Sequence, residues 1–418
     1  MRSPVRSCLA LSCLLSCSAV LPAGYGGGFG LYEGSARANA LGGTLVAREA
    51  DPSSVFYNPA AITQLSGTHV MAGVSVIRPS TDVTTAGPGG IETTGTKDTR
   101  WVPPHVYGTH QLNHRFWFGW GVFSRFGLGT EFEEAWPGRY NSYKATIHTL
   151  SFNPNLVWKA SDVLSLAAGA SASSLGFEND RKLHGAAGQD IDLCISGDAV
   201  GYGFNLGLRY QVADWLAVGA SYQSRVEQEV DGNGDIGVGK TDAQGDITLP
   251  DMAFLGVALT PIRKLSVEAG AVYTGWSSYD ELSITFDDPA LLGTKEISVP
   301  KEWDDVWRYA IGAEYALTRK WDLRLGYVYD QEPGPDGTAD YMIPGNDRQL
   351  YSVGVGCHWD RWLLDLSYTY LDVKDRHISA RAADGILESD FEDGEAHIFG
   401  ISLSAALGPV KQAPVTAP

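Results

Sequence analysis

The first residues that could do chemistry form an acidic, glycine-rich segment in the middle of the chain. The glycines of segment 232–237 have the spacing of a dinucleotide-binding loop, but the surrounding acids would repel phosphates and no helix follows. Asp231, Asn233 and Asp235 have the spacing of the first ligands of a calcium loop, although Ile236 stands where that loop needs glycine. We therefore read the segment as a solvated loop and predict no metal site there.

Residues for catalysis are equally sparse. The pattern G-x-S-x-G of serine hydrolases does not occur in the sequence. His105, His110 and His114 would be scattered by strand alternation, and no cysteine cluster has the spacing of a zinc site. The sequence therefore predicts a protein that is not an enzyme and that has no metal or cofactor. The net charge of −18 makes nucleic acid an unsuitable partner.

The elements that must position any site are strands. In segment 321–330 one face is apolar and the other is polar or small, and this period of two indicates a β-strand. Fourteen such segments occur between residues 69 and 407, and tight turns alternate with long polar loops, for example 177–199, 230–246 and 278–303. Short turns at one end and long loops at the other are typical of an outer-membrane barrel.

Tryptophans support this interpretation because six of them lie beside the short turns. An aromatic girdle is expected at the membrane interface of such a barrel. These residues are Trp117, Trp158, Trp215, Trp321, Trp359 and Trp362. We predict an all-β fold, a transmembrane antiparallel β-barrel of about 14 strands spanning 68–407 in a Gram-negative-type outer membrane.

The two ends of the chain differ from the barrel. Arg2 and Arg6 precede an apolar stretch that ends in small residues near Ala23, so residues 1–23 are predicted to be a secretory signal peptide. Residues 408–418 are rich in proline and are predicted to be a disordered tail. The last strand therefore does not end the chain with the aromatic residue usual in these barrels.

The segment before the barrel carries a functional resemblance. Its elements are Phe29-Gly30-Leu31-Tyr32-Glu33, Ser35 to Leu41 and Asn58-Pro59-Ala60, and a second block runs from Phe126 to Phe132 and from Trp136 to Tyr140. Together they resemble the FadL family, the outer-membrane transporters of long-chain fatty acids and related hydrocarbons. The resemblance extends from about residue 24 to 407.

The resemblance implies a mechanism as well as a fold. Residues 24–67 would form a hatch inside the barrel lumen, with Phe29 as its anchoring aromatic and Asn58, Pro59 and Ala60 as its tip. Substrate would be captured at extracellular loops, pass to a lumen pocket and leave sideways through the barrel wall after the hatch rearranges. The resemblance also implies that the wall would open at a kink in the third strand. Candidates for this kink are Gly119, Gly121 and Gly127, since glycine inside a strand often marks a bend.

A fatty acid also needs a counter-charge for its carboxylate. Alternation places Arg209, Arg308 and Arg324 in the lumen, and Arg139 lies in the second resembling block. We prefer Arg308, because its strand places it in the upper half of the barrel. The alternative is that these arginines pair with lumen carboxylates, as buried charges usually do.

Other functions remain compatible with a barrel: uptake of small aromatic hydrocarbons, a plain porin or an adhesin. A porin would lack the plug-like segment and an adhesin would not need it. We therefore expect the partners to be a long-chain fatty acid or another hydrophobic small molecule, outer-membrane lipid and the barrel assembly machinery, and we expect a monomer.

Overall fold

The computed structural model describes residues 27–407 except 88, 186 and 187. The predicted signal peptide, 1–23, and the predicted tail, 408–418, lie outside the described residues. Among the described residues, no helix is long and apolar enough to cross a membrane.

Twenty-one strand segments form one antiparallel sheet. The first eleven are β1 Thr68–Gly87, β2 Gly90–Gly95, β3 Pro104–Gln111, β4 Phe116–Phe123, β5 Gly127–Glu131, β6 Lys144–Lys159, β7 Leu164–His184, β8 Asp190–Ala213, β9 Leu216–Gln223, β10 Val226–Asp235 and β11 Lys240–Leu249. The remaining ten are β12 Met252–Ile262, β13 Leu265–Thr274, β14 Glu281–Phe286, β15 Glu296–Pro300, β16 Val306–Ala316, β17 Trp321–Asp330, β18 Arg348–Trp359, β19 Trp362–Val373, β20 Arg376–Ile378 and β21 Glu388–Leu407.

These segments make a closed barrel of fourteen wall strands, as the sequence predicted. Five wall strands are interrupted and consist of two segments each, namely β4 with β5, β9 with β10, β11 with β12, β13 with β14, and β15 with β16. The short segments β2 and β20 add to β1 and β21. The barrel closes where β1 pairs with β21 from Thr68 opposite Leu407 to Ala86 opposite Glu388.

The outer face of the wall is apolar because the strands alternate as expected. Along β8, Tyr202, Phe204, Leu206 and Leu208 are exposed, while Asn205 between them is buried in the lumen. Trp158, Trp215, Trp321 and Trp359 are also exposed, as a membrane girdle requires.

One tryptophan of the predicted girdle was placed on the wrong side. Trp117 is only 3% exposed, and its indole N–H donates a hydrogen bond to the carbonyl of Leu65 at 2.8 Å. On β4 the outward positions are those of Phe116 and Phe118. Proximity to a short turn indicates the level of a residue in the membrane, whereas its side is decided by strand alternation.

Several predicted polar loops are in fact β-hairpins. β7 and β8 pair as far as His184 opposite Asp190, β10 pairs with β11 across the predicted loop 230–246, and β14 pairs with β15. The inner faces of these hairpins carry buried apolar residues such as Ile247, Leu282 and Ile284, whereas their outer faces are polar because they meet water. The lipid-facing apolar face that revealed the other strands is therefore missing here.

Residues 27–67, called the N-terminal segment from here on, run inside the barrel. They contain two short helices, α1 Ala36–Ala40 and α2 Ser54–Tyr57, and a 3₁₀ turn, Pro59–Gln64. A third short helix, α3 Pro289–Leu292, and 3₁₀ turns at Trp276–Ser278 and Ala382–Asp384 lie outside this segment.

Glycines on the inner wall make room for the N-terminal segment. A Cβ atom on Gly312 would lie 2.3 Å from Oγ1 of Thr44, and one on Gly354 would lie 2.4 Å from Cβ of Ala40. Real Cβ atoms do not come so close to other heavy atoms. Wall glycines with comparable approaches to the segment are Gly207, Gly219, Gly256 and Gly326. Part of the high glycine content is therefore explained by a backbone packed directly against the barrel wall.

Candidate functional site

Asn58 joins the N-terminal segment to the wall. Its Oδ1 accepts a hydrogen bond from the backbone N–H of Ala60 at 3.1 Å, which caps the turn that Pro59 begins. Its Nδ2 donates to the carbonyls of Val46 at 2.8 Å and Leu208 at 2.9 Å. Asn58 is fully buried, so all these bonds are made without competition from water.

Glu268 holds the middle of the N-terminal segment. This buried carboxylate accepts hydrogen bonds from three successive backbone N–H groups, at 2.8, 3.2 and 2.7 Å, those of Val46, Ala47 and Arg48. The Arg48 guanidinium lies 3.5 Å from the same carboxylate and donates to the carbonyl of Gly312 at 2.7 Å. A single wall carboxylate therefore fixes the turn that carries Val46.

The predicted lumen arginine Arg324 belongs to a network of ion pairs. Its guanidinium lies 2.6 Å from Glu314, 2.7 Å from Asp365 and 3.5 Å from Asp322. Glu314 also pairs with Arg37 of α1 at 2.8 Å. The network connects the N-terminal segment to the wall. Arg324 therefore pairs with lumen carboxylates, which was the alternative to binding a substrate carboxylate.

Arg209 and Arg139 likewise have partners. Nε of Arg209 donates to the carbonyl of Ala47 at 2.8 Å, so Arg209 supports the N-terminal segment from β8. Arg139 lies between β5 and β6, pairs with Asp190 at 2.8 Å and covers the ring of Tyr140 at 4.6 Å. Both guanidinium groups are thus already engaged by partners within the protein.

Arg308 has a different environment because it shares its carboxylate. Asp330 Oδ2 accepts from Nη1 of Arg308 at 2.8 Å and lies 2.6 Å from Nη2 of Arg348. The guanidinium of Arg308 also lies over the ring of Tyr32, 4.2 Å from its centroid. Arg308 therefore shares its carboxylate with Arg348 and also contacts the N-terminal segment through Tyr32.

Phe29 lies in a cage of aromatic rings. The centroid of its ring is 4.6 Å from that of Trp276, 5.5 Å from Tyr279, 5.8 Å from Trp303 and 5.9 Å from Phe126. Phe29 is 1% exposed. These rings enclose Phe29 at the start of the N-terminal segment.

Two apolar cavities lead towards this cage. One cavity of about 20 Å³ is lined by Phe29, Ile147 and Met342 together with Phe177 and Ile247. A second cavity of about 20 Å³ among the extracellular hairpins is also lined by Phe177 and Ile247. The shared residues place the two cavities next to each other, and the pair, which extends from the hairpins to Phe29, is called the apolar route from here on.

The third wall strand breaks between β4 and β5, at Ser124 to Phe126. β4 pairs with β3 on one side and with β6 on the other, whereas β5 pairs with β6. On the other side the N-terminal segment takes the vacant place: Leu31 N donates to Arg125 O at 2.7 Å and Gly127 N donates to Phe29 O at 2.9 Å. The wall is therefore completed here by the segment itself.

The three glycine candidates for the kink have different positions relative to this break. Gly127 is the first residue of β5 and borders it, and a Cβ there would lie 2.8 Å from the Trp101 ring. Gly119 and Gly121 lie within β4, where a Cβ would meet Ile62 and Phe123 respectively at 2.7 Å. Both serve close packing inside the lumen.

Sequence reasoning missed Arg125, which lies in the break itself. Its guanidinium is between two aromatic rings, 5.5 Å from the centroid of Phe56 and 5.1 Å from that of Phe123, and the residue is 9% exposed. Strand alternation predicts its position, because Gly119, Gly121 and Phe123 face the lumen and residue 125 is the next position on that face.

The groups considered for metals are not assembled into a site. Asp231, Asn233 and Asp235 lie in β10, which is paired on both sides, and Asp235 forms an ion pair with Lys240 at 2.9 Å. His105 is buried beside Ser402 and His110 is exposed beside Thr68.

A further group, Glu178, Asp180 and Cys194, lies in the extracellular β7–β8 hairpin. Lys144 pairs with Glu178 at 2.7 Å, and the Cys194 thiol donates to Asp180 at 2.6 Å. Burial and the bond to Asp180 raise the pKa of Cys194 to about 12, so the residue stays a thiol, and Glu178 already pairs with Lys144.

Comparison with known proteins agrees with this geometry. The model of the family described as "Outer membrane protein transport protein (OMPP1/FadL/TodX)" matches residues 19–406. A "Long-chain fatty acid transport protein" from Escherichia coli O6:H1 is 25% identical over 407 residues, which cover 85% of this chain and 89% of the relative. "Outer membrane protein P1" from Haemophilus influenzae is 26% identical over 310 residues, 66% of each chain.

Solved structures show the same fold. A FadL homologue from Pseudomonas aeruginosa superposes with a TM-score of 0.76 at 21% identity, covering 93% of this chain and 100% of the homologue. The toluene transporter TodX from P. putida has a TM-score of 0.71 at 18% identity, covering 90% and 99% of the two chains.

Proposed function

Because the chain belongs to the FadL/TodX family of outer-membrane transport proteins, we propose that it takes up long-chain fatty acids or similar hydrophobic compounds. The family match covers nearly the whole chain and places the protein in the outer membrane. Since the relatives are transport proteins, they also support the prediction that this chain is not an enzyme.

The observation that carries the proposal is the apolar route that ends at Phe29. Each methylene group of an acyl chain gains about 0.8 kcal/mol when it leaves water, so a lipid favours such a route over an aqueous pore. The two cavities share Phe177 and Ile247 and are lined mainly by apolar side chains. At about 20 Å³ each they are narrow, so side chains must move as substrate passes.

The exit we propose is lateral, at the break in the third strand. The N-terminal segment completes the wall there through hydrogen bonds between Phe29 or Leu31 and residues 125–127. If residues 24–67 act as a hatch, withdrawal of Phe29 to Leu31 opens the wall to the membrane at the inner end of the apolar route. Asn58, Pro59 and Ala60 would anchor the other end of the hatch during this movement.

For the carboxylate of a fatty acid we retain Arg308 as a lumen partner. Its support is its place in the lumen, where it shares Asp330 with Arg348 and lies over the ring of Tyr32. The position next to Tyr32 of the N-terminal segment would also allow a bound anion to act on the hatch.

Uptake of small aromatic hydrocarbons is the second candidate. It is favoured by the aromatic cage of Phe29, Trp276, Tyr279 and Trp303, which suits a flat ring as well as an acyl chain. A plain porin is disfavoured because the N-terminal segment packs against the inner wall from β4 to β21.

The binding step is tested by displacement of a fluorescent fatty-acid probe from the folded, detergent-purified protein. Competition by oleate supports the fatty-acid proposal, whereas competition by toluene alone supports the hydrocarbon alternative. If neither competes, the proposed transport function is contradicted. We further propose that the protein acts as a monomer, inserted by the barrel assembly machinery among outer-membrane lipids.

A further inference from the structure

Arg125 is a buried cation whose charge the surrounding protein does not neutralise. Among the described residues, no carboxylate lies within ion-pair distance of its guanidinium, and its side chain has the Phe56 and Phe123 rings as neighbours. An unpaired charge in such a place is costly, because cation–π contacts replace only part of the lost hydration. The arrangement is stable only if it has an anion or water to bind.

The other buried arginines of the lumen have hydrogen-bond or ion-pair partners within the protein. Arg48 is paired with Glu268, Arg324 with Glu314 and Asp365. Arg209, which has no ion pair within the described part of the chain, donates to a carbonyl and to a glutamine side chain. Arg125 has no such acceptor among the described residues, although it is more deeply buried than Arg209.

Arg125 also lines a cavity that has both polar and apolar walls. This cavity of about 20 Å³ is lined also by Ser151, Ser173, Asn205 and Gln223. The Gln223 amide donates to the carbonyl of Phe56 at 2.9 Å, while its Oε1 is a buried acceptor without a hydrogen-bond partner, which a carboxylate would not satisfy and a water would. Serine hydroxyls and a guanidinium are donors, so the cavity suits a small anionic group.

We propose that Arg125 is the head-group site of the exit: it binds the carboxylate of an acidic amphiphile whose hydrocarbon tail lies on the apolar side of Phe126. This inference rests on the proposed transport of hydrophobic compounds and adds a selectivity for acids. Phe126 connects the two sides, since it lines the cavity beside Arg125 and its ring lies 5.9 Å from that of Phe29.

The carboxylate head group needs more room than the cavity offers. A volume of about 20 Å³ holds about one water molecule, so a carboxylate enters when the Arg125 side chain or Gln223 shifts. The guanidinium lies between Phe56 of the N-terminal segment and Phe123 of the wall. Its movement towards an anion would therefore loosen a contact between segment and wall beside the exit.

The experiment compares an acid with its uncharged analogue. Oleate and methyl oleate each displace the neutral dye N-phenylnaphthylamine from wild-type protein and from Arg125→Gln, Arg125→Lys and the control Arg78→Gln. Arg78 is exposed and pairs with Asp98, so its substitution tests a general loss of positive charge. The heat-dependent mobility of each variant in gel electrophoresis confirms a folded barrel.

We expect Arg125→Gln to weaken oleate about tenfold or more, the effect of one charge-assisted hydrogen bond, while methyl oleate is unchanged and Arg125→Lys keeps part of the affinity. Equal affinities in Arg125→Gln and wild type, or equal losses for both ligands, would overturn the head-group site. Failure of both ligands to displace the dye from wild-type protein would instead contradict the proposed function.

Discussion

Asn58 of the N-terminal segment donates a hydrogen bond of 2.9 Å to the backbone carbonyl of Leu208 in β8. Leu208 itself is exposed on the membrane side of the wall. One side chain in the lumen is thus bound to the backbone of a strand whose other face meets lipid. Movement of the segment requires this bond to break.

Asn58→Ala is expected to loosen the N-terminal segment and leave the barrel intact. The substitution removes three hydrogen bonds of a buried side chain and leaves the carbonyls of Val46 and Leu208 with fewer donors, at about 1–3 kcal/mol for each unsatisfied group. Hydrogen exchange should accelerate in peptides covering 44–64 but not in β17 or β18. Asn113→Ala, in an exposed turn, is the control and should change neither.

Gly312→Val is expected to displace the segment by steric conflict. Its Cβ would lie 2.3 Å from Thr44 Oγ1 and 2.4 Å from the Leu41 carbonyl. Limited proteolysis should then cut within 27–67 in the folded barrel, and hydrophobic probe binding should fall. Gly337→Val is the matched substitution in open space and should leave the protein resistant. A resistant Gly312→Val protein would show that the segment does not pack as described.

Glu268→Gln is expected to destabilise the turn at Val46 to Arg48. The variant leaves Arg48 as an unpaired buried cation, and breaking such a pair costs about 3–5 kcal/mol. Local hydrogen exchange of the turn is the measurement. The double variant Glu268→Gln with Arg48→Met should recover part of the protection, because the unpaired charge is gone. Additive losses would argue against the coupling.

The extracellular strand β20 should respond to pH through His377. Its hydrogen bond to Asp390, at 2.6 Å, raises the pKa of the imidazole above its ordinary value, and Glu388 adds to this effect. The raised pKa means that the stabilisation is complete below about pH 6.5 and is lost as the pH rises through the higher, folded-state value. After correction for the intrinsic exchange rate, peptides covering 376–390 should be more protected at pH 6 than at pH 8.5. In His377→Gln this difference should vanish.

Arg308→Gln is expected to weaken binding of oleate about tenfold and to spare methyl oleate, if Arg308 contacts the carboxylate. Asp330 keeps Arg348 as a partner in this variant, so the carboxylate is not left unpaired. Dye displacement gives both affinities. An unchanged affinity for oleate would remove Arg308 from the binding site and leave it as a structural partner of Asp330.

Strand alternation was sufficient to predict the barrel from the sequence. In β8 and β17 every second residue faces lipid, and this demand on composition is visible without any structure. The hairpins β10–β11 and β14–β15 were read as loops because neither of their faces meets lipid. Trp117 was assigned to the girdle because it lies beside a short turn, but strand alternation places its side chain on the lumen face of β4.

The candidate site was predicted in part, for a different physical reason. Phe29 and Asn58 belong to short motifs whose resemblance to a family could be recognised, and both make extensive contacts in the structure. The partners of Arg324 and Arg308 lie on other strands, so pairing could be anticipated only in general terms. Arg125 becomes prominent only when the absence of a nearby carboxylate is seen in three dimensions.

The most direct test of the account is uptake of radiolabelled oleate by cells that lack their own outer-membrane fatty-acid transporter and express this chain. The account predicts saturable uptake by wild-type protein and a strong reduction by Gly312→Val, with both proteins folded in the outer membrane at equal amounts. Absence of uptake by the wild-type chain, or equal uptake by the two proteins, would contradict transport controlled by the N-terminal segment.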